Sequence, residues 1–340
     1  MVKLSILDYA QIDEGRSNQE AIEDSVKLAK EAEQLGFHRF WVAEHHNVPA
    51  FASSSPELLM MHLANNTSTI KIGSGGIMLP HYSPYKIAEN IRMLQAAHPN
   101  RIDLGFGNSP GVSDIQAALN EHKERLSSKE QAIKDLKHYL TDDKQEDFRF
   151  KNITANPDVD EIPEFWTLSM SIKSAKFAAE QGIAYCHGFF PYGADKDEQL
   201  RKAKKAVEVY RENFKPSSIM DEPKVMYSFF AAISDTEGLA EAVAKSIDLW
   251  MLGQNNFTRF KEIPSVETAK TYTPNEKEQE QIELNRSRLI VGTSESVKDQ
   301  LDFITNELNA DEILLCTIMP GIDNRINGIK ELAKAYQLER

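Results

Sequence analysis

Cysteine is nearly absent: Cys186 and Cys316 are the only two in 340 residues. Two thiols exclude a disulfide scaffold and any Cys-rich zinc module, and a reduced, cytoplasmic setting is the default expectation. Long apolar runs are also missing. No stretch approaches the roughly 18 uninterrupted apolar residues of a membrane helix. The opening residues carry Lys3, Asp8, Asp13 and Glu14, which is not the make-up of a signal peptide. Positive charge is in deficit, with 39 Lys and Arg against 52 Asp and Glu and a formal net charge of −13. So acidic a surface disfavours nucleic acid and anionic membranes as partners, while leaving room for one local phosphate pocket. No glycine occurs in residues 8–14, where a doubly wound dinucleotide-binding sheet would carry its phosphate loop. Short repeats, low-complexity tracts and interdomain linkers are absent too.

What is present is a globular composition, 41% apolar and 27% charged. Apolar runs at 4–7, 40–43, 70–79, 101–105, 165–168, 183–187, 224–233 and 312–316 read as eight strands. Helices are expected between them. A capping box at Ser17 and Glu20 opens the first, prolines open those at 56–66 and 84–97, and others fall at 171–182, 196–214, 294–308 and 324–336. Asp235 is the expected cap of the helix after strand seven. Two polar stretches interrupt the rhythm. Residues 107–163 contain one helical segment, 127–140, and residues 253–288 contain some helix. Eight alternating units in one chain predict an α/β fold, a single (β/α)8 TIM barrel over residues 1–340 with insertions after strands 4 and 7.

A barrel of this kind works at the C-terminal ends of its strands. Glu44-His45-His46 follows strand two. Neighbours on an extended chain face opposite ways, so the pair does not grip one ion, and no metal site is expected. One histidine in the wall and one at the rim, or one imidazole aimed into the cavity as acid, base or donor, are equally good readings. Gly75-Gly76 on strand three, and Gly105 and Gly107 on strand four, either let a flat ligand lie on bare backbone or let the strands bend. Ser171-Ile172-Lys173-Ser174, between strand five and a helix, offers backbone N–H groups, two hydroxyls and an ammonium to a phosphate, or is an ordinary serine cap with a solvated lysine. Phe106, Phe189, Phe190 and Tyr192 read as core or as an apolar rim.

Together the opening strand 4–9, the 41–46 segment Trp-Val-Ala-Glu-His-His, the 72–80 segment Ile-Gly-Ser-Gly-Gly-Ile-Met-Leu-Pro, the 100–107 segment Asn-Arg-Ile-Asp-Leu-Gly-Phe-Gly and Gly292-Thr293 resemble the bacterial luciferase-like flavin-dependent monooxygenases over nearly the whole chain. The resemblance implies a barrel holding FMN at its C-terminal mouth, reduced by a separate flavin reductase and used with O₂ on a small organic substrate. It implies a cis peptide at Gly75-Gly76, a catalytic role for His45, and a structural one for His46. Gly75, Gly76, Gly107, Asn108, Ser171, Ile172, Lys173 and Ser174 become the candidate cofactor-binding residues, with Ser171 and Ser174 at the phosphate. A homodimer through roughly 56–97 is implied as well. Asn108 stands where the family carries an arginine, and Met170 where luciferase itself carries a glutamate. Lys173 is the candidate replacement charge. The alternatives are hydride exchange with the deazaflavin F420, and a non-catalytic flavin-storage barrel or silent partner subunit.

Overall fold

The computed structural model describes residues 2–107, 111, 113–120, 128–141, 148–150, 152–189, 195–253 and 258–338. The strands are β1 (Lys3–Asp8), β2 (Arg39–Val42), β3 (Lys71–Ser74), β4 (Ile77–Met78), β5 (Ile102–Gly107), β6 (Glu164–Leu168), β7 (Ala184–Phe189), β8 (Val225–Ile233), β9 (Ile290–Gly292) and β10 (Glu312–Cys316). Every ladder between them is parallel. The order β10-β1-β2-β3-β5-β6-β7-β8 closes on itself through β8 and β10, giving the expected eight-stranded barrel.

Helices cover its outside: α1 (Asn18–Gln34), α2 (Pro56–Asn66), α3 (Pro84–Ala97), α4 (Ser113–Asn120), α5 (Lys129–Thr141), α6 (Ile172–Gln181), α7 (Lys196–Asn213), α8 (Glu237–Met251), α9 (Val266–Thr271), α10 (Glu276–Arg286), α11 (Ser294–Leu308) and α12 (Ile322–Ala335). The capping box on α1 is present: Glu20 N–H donates to the Ser17 hydroxyl at 3.2 Å, and Ser17 N–H donates to Glu20 at 2.8 Å.

Contacts between strands that are not neighbours show what fills the barrel. Arg39 on β2 reaches Asp103 on β5 at 2.6 Å and Glu312 on β10 at 2.7 Å, so its guanidinium spans the interior. Glu164 stands 3.3 Å from Arg39 and also pairs with Lys71 and Lys224. Three cations thus face three carboxylates at the N-terminal end, which balances the charge of a buried polar layer. The neighbouring cations hold the Glu164 carboxyl well below its usual range against the opposing effect of burial. Above this layer Trp41 and Trp166 meet edge to face at 5.8 Å, and the Arg39 guanidinium lies 5.1 Å from the Trp166 ring.

Several sequence expectations need correction. The third strand does not run unbroken over 70–79. Pairing with β5 lapses after Gly73↔Asp103 and resumes at Ile77↔Phe106, with a cis peptide bond at Gly75-Gly76 in the gap. The Ser74 hydroxyl substitutes for the missing ladder, donating to the Gly105 carbonyl at 2.7 Å and accepting from Gly105 N–H at 3.2 Å. Among the described residues the 107–163 stretch carries two helices rather than one, the additional α4 being only eight residues long with no fully buried side chain. Thr236, not Asp235, caps α8, accepting from Leu239 N–H; Asp235 instead accepts from the Asn327 amide. Strand β9 extends the ladder of β8 at Ala231↔Ile290, between the second polar stretch and α11, where the sequence reading assigns no element. Helix α12 starts two residues early, behind Gly321 at φ +78°, whose N–H is held by Asp13.

Candidate active site

Strands β2, β3, β5 and β6 are consecutive in the barrel, so the segments that follow them lie side by side at one arc of the mouth. Val42 pairs with Ser74, Met78 with Gly107, and Gly107 with Leu168. The His45 segment, Gly75-Gly76, Gly107 and the 169–174 turn are brought together by these registers. Asn108 lies outside the described residues, as do Phe190 and Tyr192.

The two histidines part company. The His46 ring turns back to Glu44, Nε2 to Oε1 at 2.7 Å. His45 is held by its backbone, whose N–H donates to the Ser53 carbonyl at 2.9 Å, and its ring enters an aromatic wall. Tyr9 stands 4.9 Å and Phe51 5.1 Å from it, with Trp250 behind Phe51 and Phe230 beside Tyr9. The His45 Nδ1 atom is shielded from water and has no hydrogen-bond partner. Buried polar atoms are nearly always paired, so this one marks a position that the fold alone does not explain. Burial, and secondarily the neighbouring His46, lower the His45 pKa from 6.5 to about 4. The imidazole is therefore neutral at pH 7, with one nitrogen to donate and one to accept.

His187 on β7 is also neutral, its pKa lowered to about 4 by burial. Tyr185 gives its one hydroxyl proton to the Ser169 carbonyl at 2.9 Å, so His187 Nδ1, 2.9 Å from the same oxygen, is the donor of the pair. For both histidines the folded pKa lies below the free value of 6.5, so the unfolded chain takes up protons first as the pH falls. Their contribution to stability is complete above about pH 6.5 and is lost progressively toward pH 4. Thermal unfolding measured in steps across that window should show the midpoint falling, and a smaller fall in His187→Gln. A midpoint that stays flat from pH 6.5 to 4 contradicts the assignment.

The glycines divide into two kinds. A Cβ on Gly75 would stand 2.6 Å from Leu7, and one on Gly76 2.8 Å from the Phe106 backbone. At Gly76 the obstacle is backbone, so strand packing requires the glycine whatever lies over it, whereas at Gly75 it is the end of the Leu7 side chain. A Cβ on Gly107 would meet nothing within 4 Å, so the end of β5 faces open space. At the next strand, Ser171 caps α6. Its hydroxyl accepts from Ser174 N–H at 3.1 Å and stands 3.0 Å from the Ser174 hydroxyl, while its own N–H donates to Ser169. The turn is exposed. The Lys173 side chain is 87% accessible and pairs with Glu130 at 3.2 Å; Met170 and Ile172 present apolar surface beside it. A helix N-terminus with free N–H groups, two hydroxyls and an ammonium is a donor set suited to a phosphate.

Sequence reasoning missed Phe51, Phe230 and Trp250. Phe230 has the same parity on β8 as the interior residue Met226, which is a usable signal, but Phe51 and Trp250 come from a loop and a helix with no such marker. Phe106 and Phe189 are buried near the C-terminal ends of β5 and β7. The cysteines are buried, and burial pushes both thiols up. Among the described residues no cluster of His, Cys, Asp or Glu is arranged to hold a metal ion.

Comparison with known proteins identifies the family. Residues 2–310 match the model of the luciferase-like monooxygenase family. The chain is 39% identical to the uncharacterized protein YwcH of Bacillus subtilis (strain 168), covering 99% of each chain. It is 34% identical to the N-acetyl-S-alkylcysteine monooxygenase of the same organism, covering 93% of each. Among solved structures, apo-MsnO8 superposes with a TM-score of 0.86 at 30% identity, covering 100% of this chain and 99% of that one. The same fold, at 16% identity, occurs in the FMN complex of the oxygenating constituent of 3,6-diketocamphane monooxygenase from Pseudomonas putida (TM-score 0.70, 98% and 96% covered). It also occurs in an F420-dependent secondary alcohol dehydrogenase (TM-score 0.67, 100% and 99% covered). This chain belongs to the luciferase-like monooxygenase family.

Proposed function

We propose that the protein is an FMN-dependent monooxygenase, one domain in extent, that takes reduced FMN from a separate flavin reductase and oxygenates a small organic substrate with O₂. The observation that carries this reading is the unpartnered, shielded Nδ1 of a neutral His45 inside an aromatic wall, beside the Gly75-Gly76 strand. Reduced FMN supplies the electrons that activate O₂; the protein's task is to bind, orient and keep out water. Gly107 leaves the space through which the cofactor would pass from the barrel to the α6 N-terminus. There Ser171, Ser174 and the backbone N–H groups of Ile172 and Lys173 would hold its phosphate, with the Lys173 ammonium as the local cation. Asn108 would add a hydrogen bond but no charge. His45 offers a hydrogen bond from a site that needs no charge of its own. Tyr9, Phe51, Phe230 and Trp250 suit a substrate whose reacting part is apolar.

The test is oxygen uptake by the protein in the presence of NADH, FMN and a flavin reductase. S-alkylcysteine derivatives, taken from the relative named above, are the first substrates to offer. Substrate-dependent uptake with an oxygenated product supports the reading; product formation without O₂ overturns it. Lys173→Ala is expected to weaken FMN binding about three- to tenfold, the size of one exposed charge contact. Unchanged FMN affinity removes Lys173 from the site.

The surface of α2 and α3 supports a homodimer. Leu58 and Met93 are 75% and 56% exposed there, flanking a cleft of about 530 Å³ lined also by Met61 and Leu94. Sedimentation at micromolar concentration tests this, and a Leu58→Glu, Met93→Glu variant should be monomeric.

A further inference from the structure

The Glu44 carboxylate is fully buried and is the meeting point of three donors from two segments of the mouth. Met78 N–H donates to Oε2 at 2.7 Å, the Tyr82 hydroxyl to Oε1 at 2.6 Å, and His46 Nε2 lies 2.7 Å from the same Oε1. A carboxylate has no proton to give, so His46 carries its proton on Nε2. Glu44 immediately precedes His45 in the chain. Met78 closes the two-residue strand that follows Gly75-Gly76, and Tyr82 follows the 3-10 turn Leu79–His81. No ladder bond between β3 and β5 spans the break at residues 75–76. The Glu44 contacts therefore tie the His45 segment to the far side of that break.

We propose that Glu44 is a positioning residue of the active site: its buried carboxylate ties the backbone segment that carries His45 to Met78 and Tyr82 and sets the tautomer of His46. This rests on the functional reading above in taking His45 and Gly75-Gly76 to be one site. Glu44 touches neither cofactor nor substrate in this account; it acts through the segments it joins. A glutamine in its place keeps the shape, but its single acceptor cannot serve all three donors, and its amide donates toward Tyr82 or His46. The Met78 N–H cannot reverse its role, so His46 must change tautomer or lose its partner.

Glu33 provides a control built from the same chemistry at the other end of β3. One of its oxygens accepts from the N–H groups of Ser68, Thr69 and Ile70 at 2.8, 2.6 and 3.0 Å, far along the strand from the mouth. The experiment compares wild type, Glu44→Gln, Tyr82→Phe and Glu33→Gln. FMN affinity is read by fluorescence quenching, stability by thermal unfolding, and the histidine side chains by ¹⁵N NMR titration. Glu44→Gln is expected to weaken FMN binding about tenfold, because binding would then have to re-order the two segments that the carboxylate joins. It should convert His46 away from the Nε2–H form and raise the His45 pKa by about one unit as water reaches the ring. Tyr82→Phe should move the same readouts less, and Glu33→Gln should lower stability alone. Glu44→Gln matching Glu33→Gln, with FMN affinity and both histidine titrations unchanged, overturns the proposal. If wild type binds no FMN, the flavin reading fails by itself, and the histidine titrations still decide whether Glu44 holds His45 in place.

Discussion

His45→Ala is expected to lower oxygen-dependent turnover by about 10²- to 10⁴-fold, the range lost when a positioned proton donor or acceptor is removed. FMN affinity should change far less, because the proposed phosphate donors belong to α6 and not to β2. The folded state should tolerate the change. Nδ1 makes no hydrogen bond, so deleting the ring removes a polar atom that the fold carries at a cost. What is lost is packing against Tyr9 and Phe51, a mutational cost on the order of 1 kcal/mol for a ring at the edge of an aromatic cluster. Turnover with supplied reduced FMN, FMN affinity and thermal unfolding separate these terms. Equal losses of turnover and of flavin binding would make His45 a binding residue and count against a chemical role.

Arg39→Met is expected to be the most destabilising single change at the opposite end of the barrel. The guanidinium donates to Glu312 through Nε and Nη2 and to Asp103 through Nη1, and all three side chains are buried. Methionine fills most of the volume but leaves Asp103 and Glu312 without their shared cation. Breaking a buried pair by removing one partner costs about 3–5 kcal/mol. With an unfolding entropy proportional to chain length, that is a drop of about 4–7 °C in the midpoint. Arg39→Lys should fall between the two, since one ammonium cannot reproduce a fork that serves two carboxylates at once. A midpoint within 1 °C of wild type in Arg39→Met would mean that the layer is not closed to water.

These two expectations sit on parts of the molecule that were unequally legible in the sequence. The barrel was readable because its strands are short apolar runs at regular spacing, separated by helices with recognisable caps such as Ser17 and Glu20. Strand three was read as continuous because Gly75-Gly76 interrupts the ladder without interrupting the apolar pattern on either side. The helix over 113–120 is illegible for a different reason: it is eight residues long, and its one apolar pair, Ile115 and Leu119, spans barely one turn. At the site, Glu44, His45 and His46 could be placed at a strand end, but the residues alone, without the family resemblance, leave the two histidines interchangeable. Which ring turns back and which enters the wall depends on Met78, Tyr82, Tyr9 and Phe51, contributed by other segments. The Arg39 layer was invisible for the same reason, because its partners come from β5, β6 and β10 and meet only once the barrel closes.

The cofactor is the hinge of the functional account, and one titration addresses it. Purified protein would be titrated anaerobically with reduced FMN and, separately, with reduced F420, then mixed with oxygenated buffer while flavin absorbance is followed. The account predicts saturable binding of reduced FMN, weak or no binding of F420, and reoxidation of the bound FMN on a time course distinct from that of free FMN. Saturable binding of F420 without binding of FMN, with no reaction toward oxygen, would contradict it and assign the same barrel to hydride transfer.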